Sequence, residues 1–276
     1  MKAIEDVFVL HNGVNLPKIG LGTWQSKPGD ETYEAVRLAL KHGYRHIDTA
    51  MAYNNEKSVG KAVKASGVPR EEIFVTTKLP AEIKTYDGAL EAFDKSLSEL
   101  EMDYVDLYLI HAPWPWNDRA TDHSEGNKAA FLAMEKIYNE GKAKAIGVSN
   151  FKPKDIAYLM QHCSIVPHVN QIAYFIGLDQ SETISFCREN SIVVEAYSPL
   201  GIGYLLSNET IREMALKYKV SPAQICIRWC LQKETAPLPK TVHEHRLLEN
   251  MDVDFEIDRN DMEILDSVKG DPRRWK

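Results

Sequence analysis

The sequence predicts an α/β protein whose fold is a (β/α)8 TIM barrel with an N-terminal β-hairpin. Eight short apolar segments alternate with stretches of helical periodicity, as expected for strands and helices that follow one another in a parallel barrel. The chain has 276 residues, and barrels of about 250 residues are common as single units. Polar residues also follow several apolar segments directly, where a barrel places its active face. No internal boundary is visible, so residues 1–276 are expected to form a single domain.

The first predicted element is the hairpin. Apolar residues 7–10 and a second run ending near Ile19 flank the tripeptide His11-Asn12-Gly13. Asn-Gly accepts the positive φ angles of a tight type I′ turn, which joins antiparallel strands. We therefore expect a small hairpin ahead of the barrel.

The eight predicted barrel strands follow in order. They are residues 19–22, 44–48, 73–77, 104–110, 143–148, a segment ending at residue 171, 192–197 and 235–239. The eighth is weak, because Pro237 and Pro239 cannot donate ladder hydrogen bonds. Its assignment depends on its position after the last helices more than on its composition.

The segments between the strands carry helical signals. The predicted helices are residues 31–42, 56–66, 88–100, 129–140, 153–161, 181–190, 209–218 and 222–231. Glycines such as Gly43 and Gly141 follow the apolar periodicity and mark helix ends. Residues 112–127 instead combine prolines and tryptophans without periodicity, so they predict a long loop at the rim, and long loops in compact domains are usually functional.

Composition and charge exclude several classes of protein. Hydrophobic residues make up 44% and charged residues 26%, which suits a folded soluble domain and excludes disorder. The net charge is −7, so the surface should repel phosphate backbones, and no nucleic-acid partner is expected. No apolar run approaches the roughly 18 residues of a membrane-spanning helix, so no membrane partner is expected either.

The four cysteines form no CxxC pair, and the N-terminal residues are acidic where a signal peptide would be basic and then apolar. Reduced thiols and a cytoplasmic location are expected. Cys226 and Cys230 lie one helical turn apart but lack further ligands at zinc spacing, which favours helix packing. His42 with His46, or His243 with His245, could be proposed as ligands of a metal-dependent hydrolase, but neither pair is joined by acids at neighbouring strand ends. No metal is expected.

Four titratable residues are predicted to share the rim of the barrel. Asp48, Lys78 and His111 each come at the end of an apolar strand, and Tyr53 lies in the loop after Asp48. An adjacent ammonium stabilises a phenolate and lowers the pKa of the phenol, so Lys78 could activate Tyr53 while Asp48 holds Lys78 in place. His111 could orient a substrate oxygen. Together these residues could supply the acid–base catalysis of a reaction that forms or consumes a carbonyl group.

The remaining rim residues suggest a phosphorylated cofactor with an amide-bearing ring. Ser149, Asn150 and Gln171 are neutral donors and acceptors suited to an amide, and Tyr197 offers a flat face. Lys240, Thr241 and Arg246 follow the eighth strand and could bind phosphate. No GxGxxG or Walker A motif is present, so a Rossmann domain is not supported.

With these residues in view, the sequence resembles the aldo-keto reductase family, and within it the bacterial-type members with a short tail after Gly270. The matching motifs are GLGTW, YRHIDTAMAYNNEKSVG, VTTKL, VDLYLIHAP, AIGVSNF, VNQIAY, AYSPLG and LPKTVHEHRLLEN. They run in the family's order from about residue 7 to residue 254. The resemblance implies NADPH-dependent reduction of an aldehyde or ketone, or the reverse oxidation with NADP+.

The resemblance also implies residue roles. It maps the proton donor onto Tyr53, its pKa-lowering partner onto Lys78, the supporting acid onto Asp48 and the carbonyl-orienting residue onto His111. Cofactor contacts fall on Thr23, Ser149, Asn150, Gln171, Tyr197, Ser198, Leu200, Lys240, Thr241, Arg246, Glu249 and Asn250. Substrate contacts fall on Trp24, His111 and Trp114. A small-molecule carbonyl substrate and a monomeric protein are expected.

Two positions depart from the family pattern. Ala112 replaces a common bulky aromatic, which opens the pocket unless Trp114 or Trp116 fills it. Thr241 replaces serine and keeps the hydroxyl. A rival interpretation is a sensor or scaffold barrel that binds NADPH with little turnover, and single-turnover oxidation of bound NADPH by a reactive aldehyde would discriminate the two.

Overall fold

The computed structural model describes residues 2–270, so the end of the tail after Gly270 lies outside the described residues. Its strands are β1 Val7–Val9, β2 Asn15–Pro17, β3 Leu21–Gly22, β4 His46–Asp48, β5 Phe74–Leu79, β6 Val105–Ile110, β7 Ala143–Ser149, β8 Val169–Ala173, β9 Val193–Tyr197 and β10 Ala236–Leu238. Its helices are α1 Asp30–Lys41, α2 Glu56–Ala65, α3 Tyr86–Leu100, α4 Ser124–Asn139, α5 Pro153–His162, α6 Ser181–Glu189, α7 Glu209–Tyr218, α8 Pro222–Gln232, α9 Glu244–Met251 and α10 Arg259–Ser267.

The predicted (β/α)8 barrel is confirmed. Strands β3 to β10 pair in parallel in chain order, and a parallel bridge between Gly22 and Lys240 joins the two edges. The amides of Gly20 and Gly22 donate to the carbonyls of Pro237 and Pro239 at 3.2 Å and 3.1 Å. The prolines of the weak eighth strand therefore act as acceptors across the closure, a role that needs no N–H.

Glycine is required at this closure because side chains crowd Gly20 and the backbone of the last strand crowds Gly22. A Cβ atom on Gly20 would lie 2.7 Å from Nδ1 of His46, and one on Gly22 would lie 3.0 Å from the carbonyl oxygen of Leu238. The glycines of the GLGTW segment thus allow the first and last strands to meet.

The predicted hairpin is confirmed, but its turn type is wrong. Strands β1 and β2 pair antiparallel, and the amide of Leu10 donates to the carbonyl of Val14, which leaves three residues in the loop. Of the three loop residues, only Gly13 has a positive φ, at 85°. A type I′ turn needs two such residues, whereas a three-residue loop needs one at its αL position. Buried Leu10 and Leu16 pack against the barrel strands beneath the hairpin.

Several boundaries differ from the predicted ones. Helix α4 begins at Ser124, five residues earlier than predicted, because Asn127 donates a hydrogen bond to the carbonyl of Pro113 at 2.8 Å and ties this turn to the rim loop. Helices α9 and α10 and a 3₁₀ segment at Gly201–Ser207 were not predicted. Among the described residues, no helix has both the length and the apolar character needed to cross a membrane.

Candidate active site

The four predicted catalytic side chains lie together at the carboxyl end of the barrel. Asp48 ends β4, Lys78 is the penultimate residue of β5, and His111 follows β6 directly. Tyr53 closes a single 3₁₀ turn, Met51–Tyr53, just after β4. Parallel pairing of Asp48 with Thr76 and of Lys78 with Leu109 brings the three strand ends side by side.

The turn that carries Tyr53 is anchored by Asn55. This buried amide donates to the carbonyls of Thr23 and Ser26, at 3.0 Å and 3.3 Å, and accepts from the hydroxyl of Thr49 at 2.7 Å. Because these bonds join the loops after β3 and β4, the position of Tyr53 is held from both sides.

Lys78 is the centre of the site and is fully buried. Its Nζ donates to both carboxylate oxygens of Asp48 at 2.7 Å and to the carbonyl of Thr49 at 2.8 Å, and it lies 3.5 Å from the hydroxyl of Tyr53. Burial acts to lower the pKa of Lys78, but the charges of Asp48 and Tyr53 outweigh it, so the net pKa is raised and the ammonium stays charged.

The pKa of Tyr53 corrects one part of the sequence reasoning. Burial raises the pKa of the phenol, and the Lys78 ammonium opposes this rise without cancelling it. The sequence-based expectation of a lowered pKa considered only the ammonium and not desolvation. The hydroxyl is therefore protonated at neutral pH, as a proton donor must be.

His111 completes the group in its neutral form. Its Nε2 lies 3.4 Å from the hydroxyl of Tyr53. Burial, assisted by the charge of Lys78, lowers the pKa of His111 to about 3. A neutral imidazole beside a phenol can donate one hydrogen bond to a substrate oxygen without carrying charge into the site.

A polar network that sequence reasoning missed continues inside the barrel. The amide nitrogen of Gln171 donates to Asp48 and to Glu195, at 2.8 Å in both cases. Glu195 is fully buried, and its other oxygen lies 3.5 Å from Nε2 of His46. Burial and the nearby Asp48 raise the pKa of Glu195 to about 8, and burial lowers the pKa of His46 to about 3. Both groups are therefore neutral at pH 7, although they lie only 3.5 Å apart.

The signal for this network was present in the sequence as strand alternation. Glu195 lies two residues before Tyr197, and His46 lies two residues before Asp48. Residues two apart on a strand point to the same face, so both side chains face the barrel interior below the rim.

The residues predicted to contact an amide-bearing ring lie together on β7, β8 and β9 and the residue after β7. Asn150 donates to the backbone carbonyl of His111 and to Ser149, each at 3.0 Å, and accepts from the hydroxyl of Tyr197 at 2.7 Å. Gln171 uses its amide nitrogen on two carboxyl groups, and no hydrogen bond from the described residues reaches its Oε1. That oxygen can accept from a carboxamide, which fits nicotinamide.

Thr23, predicted as a cofactor contact, follows β3, and the predicted phosphate ligands Lys240, Thr241 and Arg246 follow β10 or lie on α9. Thr23 is buried and donates its hydroxyl to the carbonyl of Asp48 at 2.9 Å. Lys240 and Arg246 are exposed, and neither has a carboxylate partner within residues 2–270. Thr241 accepts from the amide of His243 at 3.1 Å, just before the N-terminus of α9. Free cations beside a helix N-terminus suit a phosphate group.

The other predicted cofactor residues lie in the loop after β9 and on α9. Ser198 and Leu200 are half-buried in the loop after β9, and Ser198 has a positive φ of 52°. Glu249 and Asn250 lie on α9, half-buried and buried respectively. Helix α9 is tied to the barrel by the buried Tyr44, whose hydroxyl donates to the carbonyl of Leu247 at 3.0 Å.

Aromatic side chains wall the space above His111. Trp24 is 44% exposed on the loop after β3. Trp116 packs edge-on against His111 with ring centroids 5.5 Å apart, and Trp114 contacts Trp116 rather than His111. Sequence reasoning did not place Trp116 among the substrate contacts, although its ring contacts His111.

Neither pair of histidines proposed as metal ligands gains a third partner. Within the described part of the chain, no group of three or more His, Cys, Asp or Glu side chains is arranged to hold a metal ion. His46 belongs to the barrel interior, and His42 lies 2.7 Å from Glu244 on the surface. Cys226 and Cys230 are buried in α8, where they contribute to packing.

Comparisons with known proteins agree with this geometry. A family model described as the aldo/keto reductase family matches residues 18–269. Glyoxal reductase of Bacillus subtilis is 43% identical over 98% of this chain and 95% of its own length. The glycerol 2-dehydrogenase (NADP(+)) of Saccharomyces cerevisiae is 41% identical over 97% of this chain and 93% of its own.

Solved structures show the same similarity. MGS-M4, an aldo-keto reductase from a Medee basin deep-sea metagenome library, superposes with a TM-score of 0.89 at 44% identity, over 95% of this chain and 94% of that one. The aldose reductase of Schistosoma japonicum superposes with a TM-score of 0.88 at 34% identity, over 95% of this chain and 91% of that one.

Proposed function

The chain belongs to the aldo/keto reductase family, and from that premise we propose that it reduces small aldehydes and ketones to alcohols with NADPH, with Tyr53 as the proton donor. The observation that carries the proposal is the contact of one buried ammonium, Lys78, with both Asp48 and the hydroxyl of Tyr53, with His111 at 3.4 Å from the same hydroxyl.

The chain's own residues account for the proton transfer. The carbonyl oxygen is held between Tyr53 and His111, where two hydrogen-bond donors stabilise the negative charge that develops on it. Tyr53 then gives its proton to that oxygen, and the nearby Lys78 ammonium stabilises the phenolate that remains. Asp48 keeps the ammonium in place through two hydrogen bonds.

The cofactor site fits NADPH. When bound, the reduced nicotinamide supplies the hydride that the carbonyl carbon receives. Ser149, Asn150 and Gln171 would hold its carboxamide, and Tyr197 would stack on the ring. Thr23, Ser198 and Leu200 would line the middle of the cofactor, and Glu249 and Asn250 its adenine end. Lys240, Thr241 and Arg246 would hold its phosphates, and the two exposed cations favour a cofactor with a 2′-phosphate.

The similarity to the glyoxal reductase of Bacillus subtilis favours small carbonyl compounds as substrates. Trp24, Trp114 and Trp116 would form the apolar wall against which such a substrate packs. A single domain, a monomeric state and a cytoplasmic location stay predictions.

The test is the variant Tyr53→Phe, assayed by loss of reduced-nicotinamide absorbance with a panel of small aldehydes, dicarbonyls and sugars. Loss of a positioned proton donor should lower kcat by about 100-fold to 10,000-fold. NADPH affinity, measured by fluorescence titration, should stay nearly unchanged because the ring of residue 53 is retained. Reduction at the parental rate by this variant would refute the assignment.

A matched control is Tyr138→Phe. Tyr138 lies at the opposite end of the barrel, where its hydroxyl accepts a hydrogen bond from Asn12. Removal of this hydroxyl should leave kcat unchanged, so a parallel loss in both variants would point to general destabilisation and not to proton transfer.

A further inference from the structure

A chain of aromatic contacts leads from the catalytic tyrosine out to the rim loop between β6 and α4. The ring centroids of Tyr53 and His111 are 5.5 Å apart, and those of His111 and Trp116 are also 5.5 Å apart. Trp116 contacts Trp114 at 5.1 Å. The guanidinium of Arg119 lies over both tryptophans, 4.6 Å from the ring centroid of Trp114 and 5.7 Å from that of Trp116.

The positive charge of Arg119 has no acidic partner among residues 2–270. Its neighbour Asp118 is engaged elsewhere: the carboxylate accepts from the amide and hydroxyl of Thr121, at 3.2 Å and 2.8 Å, and lies 3.3 Å from His123. Stacking on the two tryptophans orients the guanidinium plane but leaves its N–H groups available. An unpaired cation is thus held at the mouth of the site in a chain of net charge −7.

The guanidinium is also close enough to Tyr197 for its charge to act on that side chain. Burial and the Tyr53 hydroxyl raise the pKa of Tyr197, and Arg119 is close enough to lower that pKa in part. Arg119 on the β6 side and Tyr197 on β9 thus lie within electrostatic range across the pocket mouth.

The cofactor phosphates are not the natural partner of this cation. The candidate phosphate ligands Lys240, Thr241 and Arg246 follow β10, the eighth strand of the barrel, whereas Arg119 follows β6, the fourth. These strands lie on opposite sides of the closed sheet. Arg119 is therefore available to a group attached to the substrate.

We propose that Arg119 binds an anionic group on the substrate, so that the enzyme prefers aldehydes and ketones that carry a carboxylate one benzene ring or a short alkyl chain from the reacting carbonyl. This inference rests on the proposed function. The carbonyl lies at Tyr53 and His111, the body of the substrate packs on Trp116, and the carboxylate receives paired N–H bonds from the guanidinium.

The test compares 4-carboxybenzaldehyde with its neutral analogue methyl 4-formylbenzoate. The wild type should have the higher kcat/KM for the acid. Arg119→Gln should lose about tenfold or more of kcat/KM for the acid, the factor expected for one charge-assisted hydrogen-bond pair, with the change in KM and not in kcat. Its activity on the ester and its affinity for NADPH should stay unchanged. Arg119→Lys keeps the charge but lacks the paired N–H donors of the guanidinium. Its kcat/KM for the acid should lie between those of the wild type and Arg119→Gln.

The matched control is Arg259→Gln, which makes the same change of charge on the surface of α10, where the side chain is 91% exposed. This variant should retain the wild-type preference for the acid. High salt should reduce the preference of the wild type and have little effect on Arg119→Gln, because exposed charge pairs are screened.

The outcomes separate the two proposals. If the acid-to-ester ratio is the same in wild type and Arg119→Gln, or if the variant weakens NADPH and both aldehydes equally, the assignment of Arg119 is overturned. If the wild type reduces neither aldehyde, the proposed function fails, and quenching of tryptophan fluorescence by 4-carboxybenzaldehyde still decides the contact: quenching lost in Arg119→Gln supports it, and equal quenching overturns it.

Discussion

The buried Glu195 gives the sharpest prediction about stability, through the variant Glu195→Gln. In the fold the pKa of this carboxyl is raised to about 8 by burial and by Asp48, against an ordinary value of 4.5. The groups that face it are Gln171 and Asp48 on one side and His46 on the other. Glutamine has nearly the same shape, can still accept from Gln171, and does not titrate.

The sign of the pH dependence follows from proton linkage. Below pH 4.5 the carboxyl is protonated in both the folded and the unfolded chain, so its titration changes nothing. Between 4.5 and about 8 the unfolded chain releases the proton and the folded chain keeps it, so wild-type stability falls as pH rises. The interval is roughly 3.5 pH units, and at about 1.4 kcal/mol per unit the loss approaches about 5 kcal/mol above pH 8.

Urea denaturation followed by far-UV circular dichroism at pH 5, 6, 7 and 8 measures this effect. Glu195→Gln should differ little from wild type at pH 5 and become the more stable protein as pH rises, with a difference of a few kcal/mol by pH 8. Because all other titrating groups are common to both chains, the difference isolates Glu195. Glu213→Gln, an exposed change on α7, should track the wild type at every pH.

One result would refute this reasoning. If Glu195 were ionised and paired with a protonated His46 at 3.5 Å, the glutamine variant would be less stable than wild type across the whole range, because it would leave a buried imidazolium unpaired. The variant would then show a constant loss in the free energy of unfolding relative to wild type, and not a gain that grows with pH.

Two further predictions concern the cofactor and the packing of the helices. Arg246→Ala should weaken NADPH by about tenfold to a hundredfold and leave NADH nearly unchanged, because only NADPH carries the 2′-phosphate; equal losses in fluorescence titrations would contradict the assignment. Gly60→Ala should lower the free energy of unfolding by about 1–3 kcal/mol or more, since its Cβ would lie 2.0 Å from the carbonyl oxygen of Leu100 and force α2 away from α3; an unchanged urea midpoint would show that this contact is looser than described.

The barrel could be predicted from the sequence because its strands and most of its helices carry local periodic signals. Helices α9 and α10 could not, since their sequences are largely polar and each presents few apolar residues, such as Leu247 and Leu265, to the core. Their helical state depends on packing against the finished barrel. The turn of the hairpin was mistaken for a similar reason: Asn12-Gly13 is compatible with two turn geometries, and the pairing of Leu10 with Val14 selects one.

The grouping of Asp48, Tyr53, Lys78 and His111 could be predicted because the ends of parallel strands meet at one rim. Whether a side chain at such a position is buried, and by what, is a property of the closed barrel. Sequence reasoning therefore missed the raised pKa of Tyr53, and it had no means of placing Arg119, whose stacking depends on the path of an aperiodic loop.

The interior network explains how several titratable groups can lie close together in the barrel, because most of them are neutral. Lys78 carries the one positive charge and pairs with Asp48, while burial keeps Tyr53 and His111 neutral. Gln171 donates to both Asp48 and Glu195. Ionisation of both carboxyl groups would therefore bring two negative charges close together around one amide group. Because Asp48 already has the ammonium, Glu195 is the group that keeps its proton, and the network stays neutral as a whole. A proton lost from Glu195 would add negative charge beside Asp48 and oppose the phenolate that forms when Tyr53 donates its own proton.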